Sequence, residues 1–492
     1  MNEDIIIIDH VSFCYKGASK GLLNDVSLKI RKGETVLLCG ASGSGKTTII
    51  RLVNGLIPHY YSGDLQGDVT VAGRDIRNTE LYDLAGVVGT VFQNPRSQFF
   101  SIDTDGEIVF GPENIGLPPE EIKKRFADVK DEMQLQELLG RSIFGLSGGE
   151  KQRIACASVS ALLPEVMLLD EPSSNLDIKA MNDLSNAVAR WKGQGKTVII
   201  SEHRLWYVAP LVDRVIYMEN GRISHEWTGE EFRNLGQQKI EELKLRPVEF
   251  DPDEITDTAD VAVSQEDAVV IRDMYFSYNE KPHVIRRRKF SDYDEKDLDL
   301  NIPELRLPKG KVIAVVGHNG TGKSTFFRGV CGLLKRCTGT ITADGKVYKG
   351  KERLRLCYMV MQDVNHQLFT DSVENEVLLS MEEEDKGRCE EILDSLGILE
   401  FKDKHPMALS GGQKQRVAVA SAIASGAKLL LFDEPTSGLD YSHMEKVGSL
   451  LRKLADSGHT ILVSTHDPEL IAESCDYILK IEDGKVESLT RK

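Results

Sequence analysis

The sequence predicts an α/β protein of two tandem domains, each built around a mainly parallel sheet. Three observations support this prediction. A set of short motifs occurs twice along the chain, each copy has a glycine-rich loop between an apolar run and a helix-like segment, and each copy has further apolar runs that end in polar residues. Continuous apolar runs are typical of parallel strands that are buried on both faces.

The repeat decides the expected number of domains. Leu-Ser-Gly-Gly occurs at residues 146–149 and again at 409–412, a separation of 263 residues. Self-similarity at a fixed period indicates duplicated structural units. We therefore expect two copies of one domain. The same separation joins four further pairs: Tyr15 and Tyr278, Asp170 and Asp433, Asp177 and Asp440, and His203 and His466.

The segment between the copies has the composition of a linker. Residues 246–268 contain eight acidic residues, one basic residue and two prolines, which favours solvated chain over a packed core. We place the first domain at 1–245, the acidic linker at 246–266 and the second domain at 267–492. The second copy also has extra residues near 281–300, where a basic run precedes an acidic one. We expect a solvated hairpin there, rather than a surface for lipid or RNA.

Composition excludes several classes of function. The hydrophobic fraction of 41% and the charged fraction of 28% are those of a folded globular protein, and no apolar run approaches the roughly 18 residues of a spanning helix. The isoleucine-rich start is flanked by acidic residues and is interpreted as a first β-strand rather than a signal peptide. A net charge of -16 makes nucleic acid an unfavourable partner. The eight cysteines form no C-x-x-C pair, so we expect reduced thiols without a metal.

Each copy contains a phosphate loop in its required context. In the first copy the apolar run Thr35–Cys39 leads into Gly-Ala-Ser-Gly-Ser-Gly-Lys-Thr at 40–47, and a helix-like segment follows at 48–54. The second copy has Val312–Val316 followed by Gly-His-Asn-Gly-Thr-Gly-Lys-Ser at 317–324. Glycines let successive backbone N–H groups face one anion, lysine adds a charge, and the Thr or Ser hydroxyl can bind Mg²⁺. These loops predict binding of a nucleotide with magnesium.

The carboxylates and histidines that follow predict hydrolysis. Apolar runs at 166–169 and 429–432 end in Asp170-Glu171 and Asp433-Glu434. The aspartate would hold Mg²⁺, while the glutamate would orient and polarise the attacking water. The β-rich runs Thr197–Ser201 and Thr460–Ser464 then lead to His203 and His466, each 32 residues after its glutamate. Ligands of open α/β sheets bind at the carboxyl ends of the strands, where all these groups would meet.

The motifs together resemble those of the ABC ATPases over nearly the whole chain. The octapeptides Leu-Ser-Gly-Gly-Glu-Lys-Gln-Arg at 146–153 and Leu-Ser-Gly-Gly-Gln-Lys-Gln-Arg at 409–416 look like the signature motif of that family. The resemblance implies two P-loop NTPase domains, each with an antiparallel β-subdomain and a helical subdomain. It also implies that the two domains pair within one chain, with each signature facing the other domain's phosphate loop and ATP held between them.

The site residues follow from the motifs and this resemblance. One site would combine Lys46, Gln93, Asp170, Glu171 and His203 with Ser410, Gly412 and Asp440, and the other Lys323, Gln362, Asp433, Glu434 and His466 with Ser147, Gly149 and Asp177. The catalytic residues would be Glu171, His203, Gln93, Glu434, His466 and Gln362. The Mg²⁺ ligands would be Thr47, Gln93, Asp170, Ser324, Gln362 and Asp433. The ATP-binding residues would be Tyr15, Gly40, Ser42, Gly43, Gly45, Lys46, Thr47, Thr48, Ser147, Gly148, Gly149, Asp177, Tyr278, Gly317, Asn319, Gly320, Gly322, Lys323, Ser324, Thr325, Ser410, Gly411, Gly412 and Asp440.

Two of these assignments need comment. Tyr15 and Tyr278 match the aromatic position that stacks on adenine in the family, although from the sequence alone each could equally be a core tyrosine. The first copy has Ser-Asn-Leu-Asp at 174–177 where the second has the commoner Ser-Gly-Leu-Asp at 437–440, so the two sites need not be equivalent.

The segments after the two glutamines narrow the choice within the family. Phe-Gln-Asn-Pro-Arg-Ser-Gln-Phe at 92–99, continuing to Phe-Gly-Pro-Glu-Asn at 110–114, resembles the energy-coupling factor ATPases of vitamin and transition-metal importers. The second copy, at 362–369, is similar but lacks the proline and the continuation. The resemblance implies a transmembrane coupling subunit and a substrate-binding membrane subunit as partners, at the cytoplasmic face of the membrane. Glu107, Glu374 or Glu376 could receive arginines of the coupling subunit.

Two other functions remain open at this point. A twin-cassette sugar importer is a close alternative, although its second cassette commonly departs from the catalytic pattern that is intact here. A soluble twin-cassette translation factor would be expected to carry a long, basic, helical linker, whereas this linker is short and acidic.

Overall fold

A computed structural model describes residues 3–17, 21–174, 176–250, 261, 263–278 and 298–492. The chain divides into two compact units, one of residues 1–250 with Gly438–Ser442 and one of residues 251–437 with 443–492. Much of the expected linker and of the charged hairpin lies outside the described residues, as does Asn175, so both stay predictions there. At the start of the expected linker, Arg246 and Val248 are instead buried, and Val248 belongs to a core cluster, so residues 246–248 are not solvated chain. In the described part of the chain, no helix is both long and apolar enough to span a membrane.

The first unit contains ten strands and nine helices among its described residues. The strands are β1 Asp4–Tyr15, β2 Leu23–Arg31, β3 Thr35–Cys39, β4 Gly63–Val71, β5 Arg74–Asp75, β6 Val88–Val91, β7 Val166–Asp170, β8 Thr197–Ser201, β9 Arg214–Glu219 and β10 Arg222–Thr228. The helices are α1 Lys46–Val53, α2 Leu56–His59, α3 Leu81–Ala85, α4 Thr104–Asn114, α5 Pro119–Glu132, α6 Gly148–Ser160, α7 Ile178–Gly193, α8 Gly229–Arg233 and α9 Gln237–Glu242.

Two sheets organise this unit. The larger has the order β10-β9-β3-β8-β7-β6, and all its strands are parallel except β10, which pairs antiparallel with β9. The smaller sheet is antiparallel, with the order β2-β1-β4-β5. The helical segment α4, α5 and α6 packs together, with α6 also against α7. The predicted α/β class, with a mainly parallel sheet and an antiparallel sheet, is confirmed.

Strand β3 shows why the sequence has continuous apolar runs. Val36 and Leu38 belong to one buried cluster, whereas Leu37 and Cys39 belong to another. Successive side chains of a strand point to opposite faces, so a strand that is covered on both faces needs apolar residues throughout. The bounds of β3 agree with the predicted run, and helix α1 begins at Lys46, two residues before the predicted start.

The second unit repeats this plan. Its strands are β11 Ala268–Phe276, β12 Leu300–Pro308, β13 Val312–Val316, β14 Thr340–Ala343, β15 Lys346–Lys349, β16 Cys357–Val360, β17 Leu429–Asp433, β18 Thr460–Ser464, β19 Tyr477–Glu482 and β20 Lys485–Arg491. The mainly parallel sheet has the order β16-β17-β18-β13-β19-β20, in which only β20 is antiparallel. The antiparallel sheet has the order β12-β11-β14-β15. The helices are α10 Lys323–Val330, α11 Val373–Leu378, α12 Lys386–Ser395, α13 Gly411–Ala424, α14 Tyr441–Asp456 and α15 Pro468–Ser474.

In both parallel sheets the polar motifs gather at one edge. In the first unit β3, β7 and β8 are neighbours, and Asp170 pairs in register with Ser201, the last residue of β8. In the second unit Asp433 pairs with Ser464 in the same way. Because neighbouring parallel strands end at the same edge, the phosphate loop, the carboxylates and the histidine that follow them are brought together.

Candidate active site in each unit

The phosphate loop of the first unit depends on glycine for its shape. Gly40 follows β3 with a φ of 132°, and a Cβ on it would lie 2.2 Å from the backbone oxygen of Met218. Gly45 precedes α1 with a φ of 109°, which is also a conformation that L-residues rarely adopt. The turn therefore requires glycine at both ends. It leaves the loop backbone wound around the amino terminus of α1, where N–H groups can bind phosphate.

The lysine of each phosphate loop lies over the backbone of its own loop. In the first unit Lys46 Nζ donates to the backbone oxygens of Gly40 at 2.9 Å and Ala41 at 3.0 Å. Lys46 is almost fully buried, and burial lowers the pKa of its ammonium group. In the second unit Lys323 Nζ donates to Gly317 O at 2.6 Å and His318 O at 2.9 Å. A positive charge is thus held over each loop, at the centre of the expected phosphate position.

The residues beside the lysines fit a magnesium ion. Thr47 Oγ1 donates to Asp170 Oδ1 at 3.0 Å, and Ser324 Oγ donates to Asp433 Oδ2 at 3.3 Å. Hydroxyl and carboxylate oxygens are ligands that Mg²⁺ prefers, and Mg²⁺ is usually bound by one or two carboxylates together with substrate phosphates. The donor set therefore matches the ion in both units. Among the described residues no cluster of three or more His, Cys, Asp or Glu forms a separate metal site.

Burial raises the pKa of both aspartates, which makes a bound cation favourable beside each. Burial and the neighbouring charge of Glu171 raise the pKa of Asp170 from its usual 3.8 to about 6, although the Thr47 hydroxyl opposes the rise. Burial also raises the pKa of Asp433. A buried carboxylate without a counter-ion is unfavourable, so a divalent cation at this position would relieve a cost that the fold imposes.

The glutamate of the first unit lies among the polar groups expected for water activation. Glu171 Oε1 is 3.3 Å from His203 Nε2, and Gln93 Nε2 donates to Glu171 Oε2 at 2.8 Å. Burial pushes the pKa of Glu171 upward, but His203 and the charge of Lys46 together outweigh this effect and hold the pKa below its usual value. The side chain is therefore ionised at neutral pH, as a group that accepts a proton from water must be.

The second unit shows the same pair with one difference. Glu434 Oε1 is 3.5 Å from His466 Nε2, which is also 3.1 Å from Asn319 Oδ1 on the phosphate loop. The predicted partner Gln362 is an exposed residue shortly after β16. In the first unit, Gln93 is placed at its glutamate by the hydrogen bond to Glu171.

Both glutamates adopt a backbone conformation that is unusual for a non-glycine residue. Glu171 has a φ of 46° and Glu434 a φ of 48°. The conformation is fixed by the backbone, because Glu171 N donates to Ser201 O at 2.8 Å and Glu434 N donates to Ser464 O at 2.9 Å. Strained conformations of this kind cluster at functional sites, where the surrounding structure over-determines them. The strain turns each glutamate toward the histidine at the end of the neighbouring strand.

The sequence of both sites matches a known family. Residues 23–174 and 300–437, more than half of the chain, match the family model described as ABC transporter. This chain belongs to the ABC transporter family. Its domains are therefore ABC cassettes, which bind ATP, typically with Mg²⁺, and hydrolyse it. The predicted pair of tandem ABC ATPase domains is confirmed.

Relatives of the same family span nearly the whole chain. A Treponema denticola protein described as an ABC transporter ATP-binding protein is 44% identical over 490 residues, which are 98% of this chain and 96% of that protein. A second protein of that organism with the same description is 36% identical over 486 residues, with coverage of 98% and 96%. A model of ribosome-bound archaeal Pelota and ABCE1 aligns with 98% of this chain and 78% of its own, at a TM-score of 0.64 and 22% identity. At this identity the likeness shows the fold alone.

The ABC signature serines begin the helices as predicted. Ser147 is the N-cap of α6, and its Oγ accepts from Glu150 N at 3.3 Å, while Glu150 Oε2 accepts from Ser147 N at 2.7 Å. Ser410 caps α13 in the same way, with Gln413 as its partner. Asp177 is the N-cap of α7. The pairing of each signature with the opposite phosphate loop stays a prediction.

The two tyrosines that were assigned to adenine lie beside the helices of the phosphate loops. Tyr15 Oη is 3.5 Å from Thr48 Oγ1, and Tyr278 Oη is 3.3 Å from Thr325 Oγ1. Each threonine is the second residue after the lysine of its loop. Neither tyrosine is fully buried, so an adenine ring could reach either one. Their role in base stacking stays a prediction.

The expectation that Glu107 and Glu376 receive arginines of a partner is wrong. Glu107 is 1% exposed, and its Oε2 accepts from Phe100 N at 2.9 Å and Ser101 N at 2.8 Å. Glu376 is also buried, and its Oε2 accepts from Phe369 N and Thr370 N in the same manner. Both carboxylates serve the fold, because each caps two backbone N–H groups of the preceding loop. A docking role for Glu374 stays a prediction; its carboxylate is 3.9 Å from Lys386 Nζ.

Two residues near the sites were not predicted from the sequence. Glu202 is buried beside His203, and its carboxylate accepts from His203 N at 2.7 Å and from Tyr207 Oη at 2.7 Å. No pattern in the sequence pointed to it. Arg51 donates to Tyr15 Oη at 2.9 Å, and a comparison of the two copies could have indicated it, because an arginine follows the lysine by five residues in both.

Proposed function

We propose that this protein hydrolyses ATP to energise a membrane importer of the energy-coupling factor type, which takes up a vitamin or a transition metal. The observation that carries the proposal is an exposed apolar surface directly after each glutamine, Gln93 and Gln362. The likeness of segments 92–99 and 110–114 to the energy-coupling factor ATPases supports the same assignment.

In the first unit a buried carboxylate organises this surface. Glu107 fixes the backbone of this segment by accepting from the N–H groups of Phe100 and Ser101. The Phe100 ring is 74% exposed and stacks on Phe110, with ring centroids 4.9 Å apart and planes at 7°. Ile102 is also exposed. Large exposed apolar side chains in one place are typical of a surface that binds another protein.

The second unit repeats the arrangement. Glu376 caps the backbone N–H groups of Phe369 and Thr370, and Phe369 is 74% exposed. Leu379, just after α11, is a second exposed apolar side chain. We propose that each surface receives an apolar helix from the cytoplasmic part of a transmembrane coupling subunit, by the helix-in-groove mode. A separate substrate-binding membrane subunit would complete the importer, and this protein would act at the cytoplasmic face of the membrane.

The chemistry of the proposed cycle follows from the sites. Mg²⁺, when bound with ATP, would neutralise charge on the phosphates. Lys46 and the loop N–H groups would hold the phosphates, while Thr47 and Asp170 would bind the metal. Glu171 would orient and polarise the attacking water, with His203 and Gln93 fixing its carboxylate. The segment after Gln93 would link this chemistry to the docking surface, because Gln93 donates to Glu171 and lies seven residues before Phe100.

Mild-detergent co-purification tests the proposal. Phe100→Ala combined with Phe369→Ala should reduce recovery of integral membrane proteins with the tagged native protein, while the ATPase activity of the isolated protein stays unchanged. Tyr82→Ala is the matched control, because Tyr82 is an aromatic residue as exposed as Phe100. It lies on α3, before β6, and so outside the segment that follows Gln93. The control should retain the membrane partners. Co-sedimentation of the unaltered protein with ribosomes, without any membrane protein, would overturn the proposal.

A further inference from the structure

The tyrosine assigned to adenine in the first unit is held by an arginine. Arg51 lies on α1, and its Nη1 donates to Tyr15 Oη at 2.9 Å. The Arg51 guanidinium is half-buried and lies 5.9 Å from the centroid of the Tyr15 ring. A hydrogen bond from a charged donor is stronger than one from a neutral donor, so this contact restrains the phenol.

A second aromatic side chain completes the enclosure. The Arg51 guanidinium lies 4.2 Å from the centroid of the Tyr61 ring, a cation–π distance. Tyr61 also meets Tyr15 edge to face, with centroids 6.0 Å apart and planes at 89°. Tyr60 packs against Tyr61 in turn, at 4.9 Å. Tyr15 is thus fixed by its hydroxyl and by its ring.

Among the residues that the structure describes, the corresponding tyrosine of the second unit has no such arginine and second tyrosine against it. Tyr278 is 55% exposed, and its ring contacts Phe276 at 4.7 Å. Arg328 occupies the position of Arg51, five residues after the lysine, but it is exposed and makes no hydrogen bond to Tyr278 among the described residues. The two residues that precede Thr338-Gly339 are Arg336 and Cys337, where the first copy has Tyr60 and Tyr61 before Ser62-Gly63. These two positions therefore supply no aromatic ring in the second copy.

We propose that Arg51 and Tyr61 are positioning residues that preorganise the adenine platform of the first site, and that this site binds ATP more tightly than the second. The inference rests on ATP binding by the family and on the assigned role of the two tyrosines. A side chain that is already fixed loses less conformational freedom when the base stacks on it. The effect on the dissociation constant is about two- to tenfold per immobilised side chain.

The measurement uses the full-length chain with one site disabled at a time. Lys323→Ala leaves the first site and Lys46→Ala leaves the second, and calorimetry at equal Mg²⁺ gives the dissociation constant for ATP in each. We expect the first site to bind about two- to tenfold more tightly. Arg51→Met should reduce its affinity to that of the second site, whereas the matched Arg328→Met should leave the second site unchanged.

Inorganic triphosphate has no adenine base, so its binding shows whether a variant has damaged the phosphate loop or only the position of the tyrosine assigned to adenine. Measured without Mg²⁺, which removes the effect of the Arg51 charge on the metal ligand Asp170, Arg51→Met should not change the affinity for inorganic triphosphate, because the arginine binds Tyr15. Arg51→Lys retains a donor for the hydroxyl but not the planar contact with Tyr61, so it should give an intermediate affinity. Tyr15→Phe combined with Arg51→Met should lose little more than Arg51→Met alone, since both changes break one contact.

Two results would overturn this inference. One is equal affinity for ATP at the two sites. The other is an equal loss of ATP and inorganic triphosphate binding in Arg51→Met, which would mean that Arg51 serves the phosphates. Failure of the importer proposal would produce neither result, because that proposal concerns the docking surfaces and not the affinity for ATP. Arg51→Lys and Tyr15→Phe are conservative enough to keep the test informative if Arg51→Met does not fold.

Discussion

Asp170→Asn should stabilise the protein when neither nucleotide nor magnesium is present. Asp170 is buried, and burial with the neighbouring Glu171 raises its pKa to about 6 from the usual 3.8. At neutral pH the buried side chain is charged, and the charge of Arg51 only partly offsets the cost of burying it. Asparagine removes the charge and keeps an oxygen that can accept the hydrogen bond from Thr47, now 3.0 Å long. The variant should lose magnesium-dependent activity, because it lacks the carboxylate.

The size of the effect follows from proton linkage. Between pH 3.8 and about 6 the native state binds the proton more tightly than the unfolded state, so stability falls as the pH rises through this window. Above pH 6 the full cost is present, and a shift of about two units corresponds to about 3 kcal/mol. The gain from Asp170→Asn should therefore be about 3 kcal/mol at pH 7.5 and should fall below about 1 kcal/mol at pH 4.

Tryptophan fluorescence offers a selective assay. The three tryptophans of the chain, Trp191, Trp206 and Trp227, all lie in the first unit with Asp170. Urea unfolding in EDTA, followed by tryptophan emission at several pH values, thus reports on the unit that carries the substitution. The exposed Asp83→Asn should change the free energy of unfolding by less than about 0.5 kcal/mol. A gain that is absent at pH 7.5, or that is equally large at pH 4, would refute the reasoning.

Three further predictions concern the glutamates and the loop. Glu171→Gln and Glu434→Gln should each lower ATP turnover about a hundredfold or more through loss of water activation, and the double variant should bind near two ATP per chain in equilibrium dialysis; a plateau near one would contradict two complete sites. Glu107→Ala should destabilise the first unit by about 2 kcal/mol or more in urea, because two backbone N–H groups lose their acceptor; unchanged stability would contradict its structural role. Gly40→Ala should lower ATP binding from near two to near one per chain in a filter assay, since the new Cβ would lie 2.2 Å from Met218 O in the first site; binding of two ATP at wild-type affinity would show that the loop can move aside.

Much of the parallel core could be predicted because its signals are local. A strand that is covered on both faces must be apolar at successive residues, so β3 and β13 were located with their observed bounds. The phosphate loops were equally visible, since the turn admits only glycine where φ is positive. The carboxylates Asp170 and Asp433 end such strands, and parallel neighbours end at one edge. Their approach to the loop hydroxyls followed from this rule.

The roles of Glu107 and Glu376 could not be predicted in this way. A carboxylate on a helix has the same local pattern whether it faces water, a partner or the backbone of a preceding loop. Only the burial of the carboxylate distinguishes these cases. Burial depends on how the helix packs against other segments of the chain, which the local pattern does not show. The sequence suggested partner binding for both residues, whereas the structure shows them capping backbone N–H groups.

By itself, the sequence determined that the chain has two α/β domains with complete motifs for ATP hydrolysis, because those motifs need particular residue types at fixed spacing. The tertiary structure decided how the side chains of these motifs are used. It gave Glu171 its left-handed backbone and brought Gln93 to it. It also placed Arg51 against Tyr15 in the first unit, while Arg328 makes no such bond to Tyr278. These differences arise from contacts across the fold, which two nearly identical motifs do not encode.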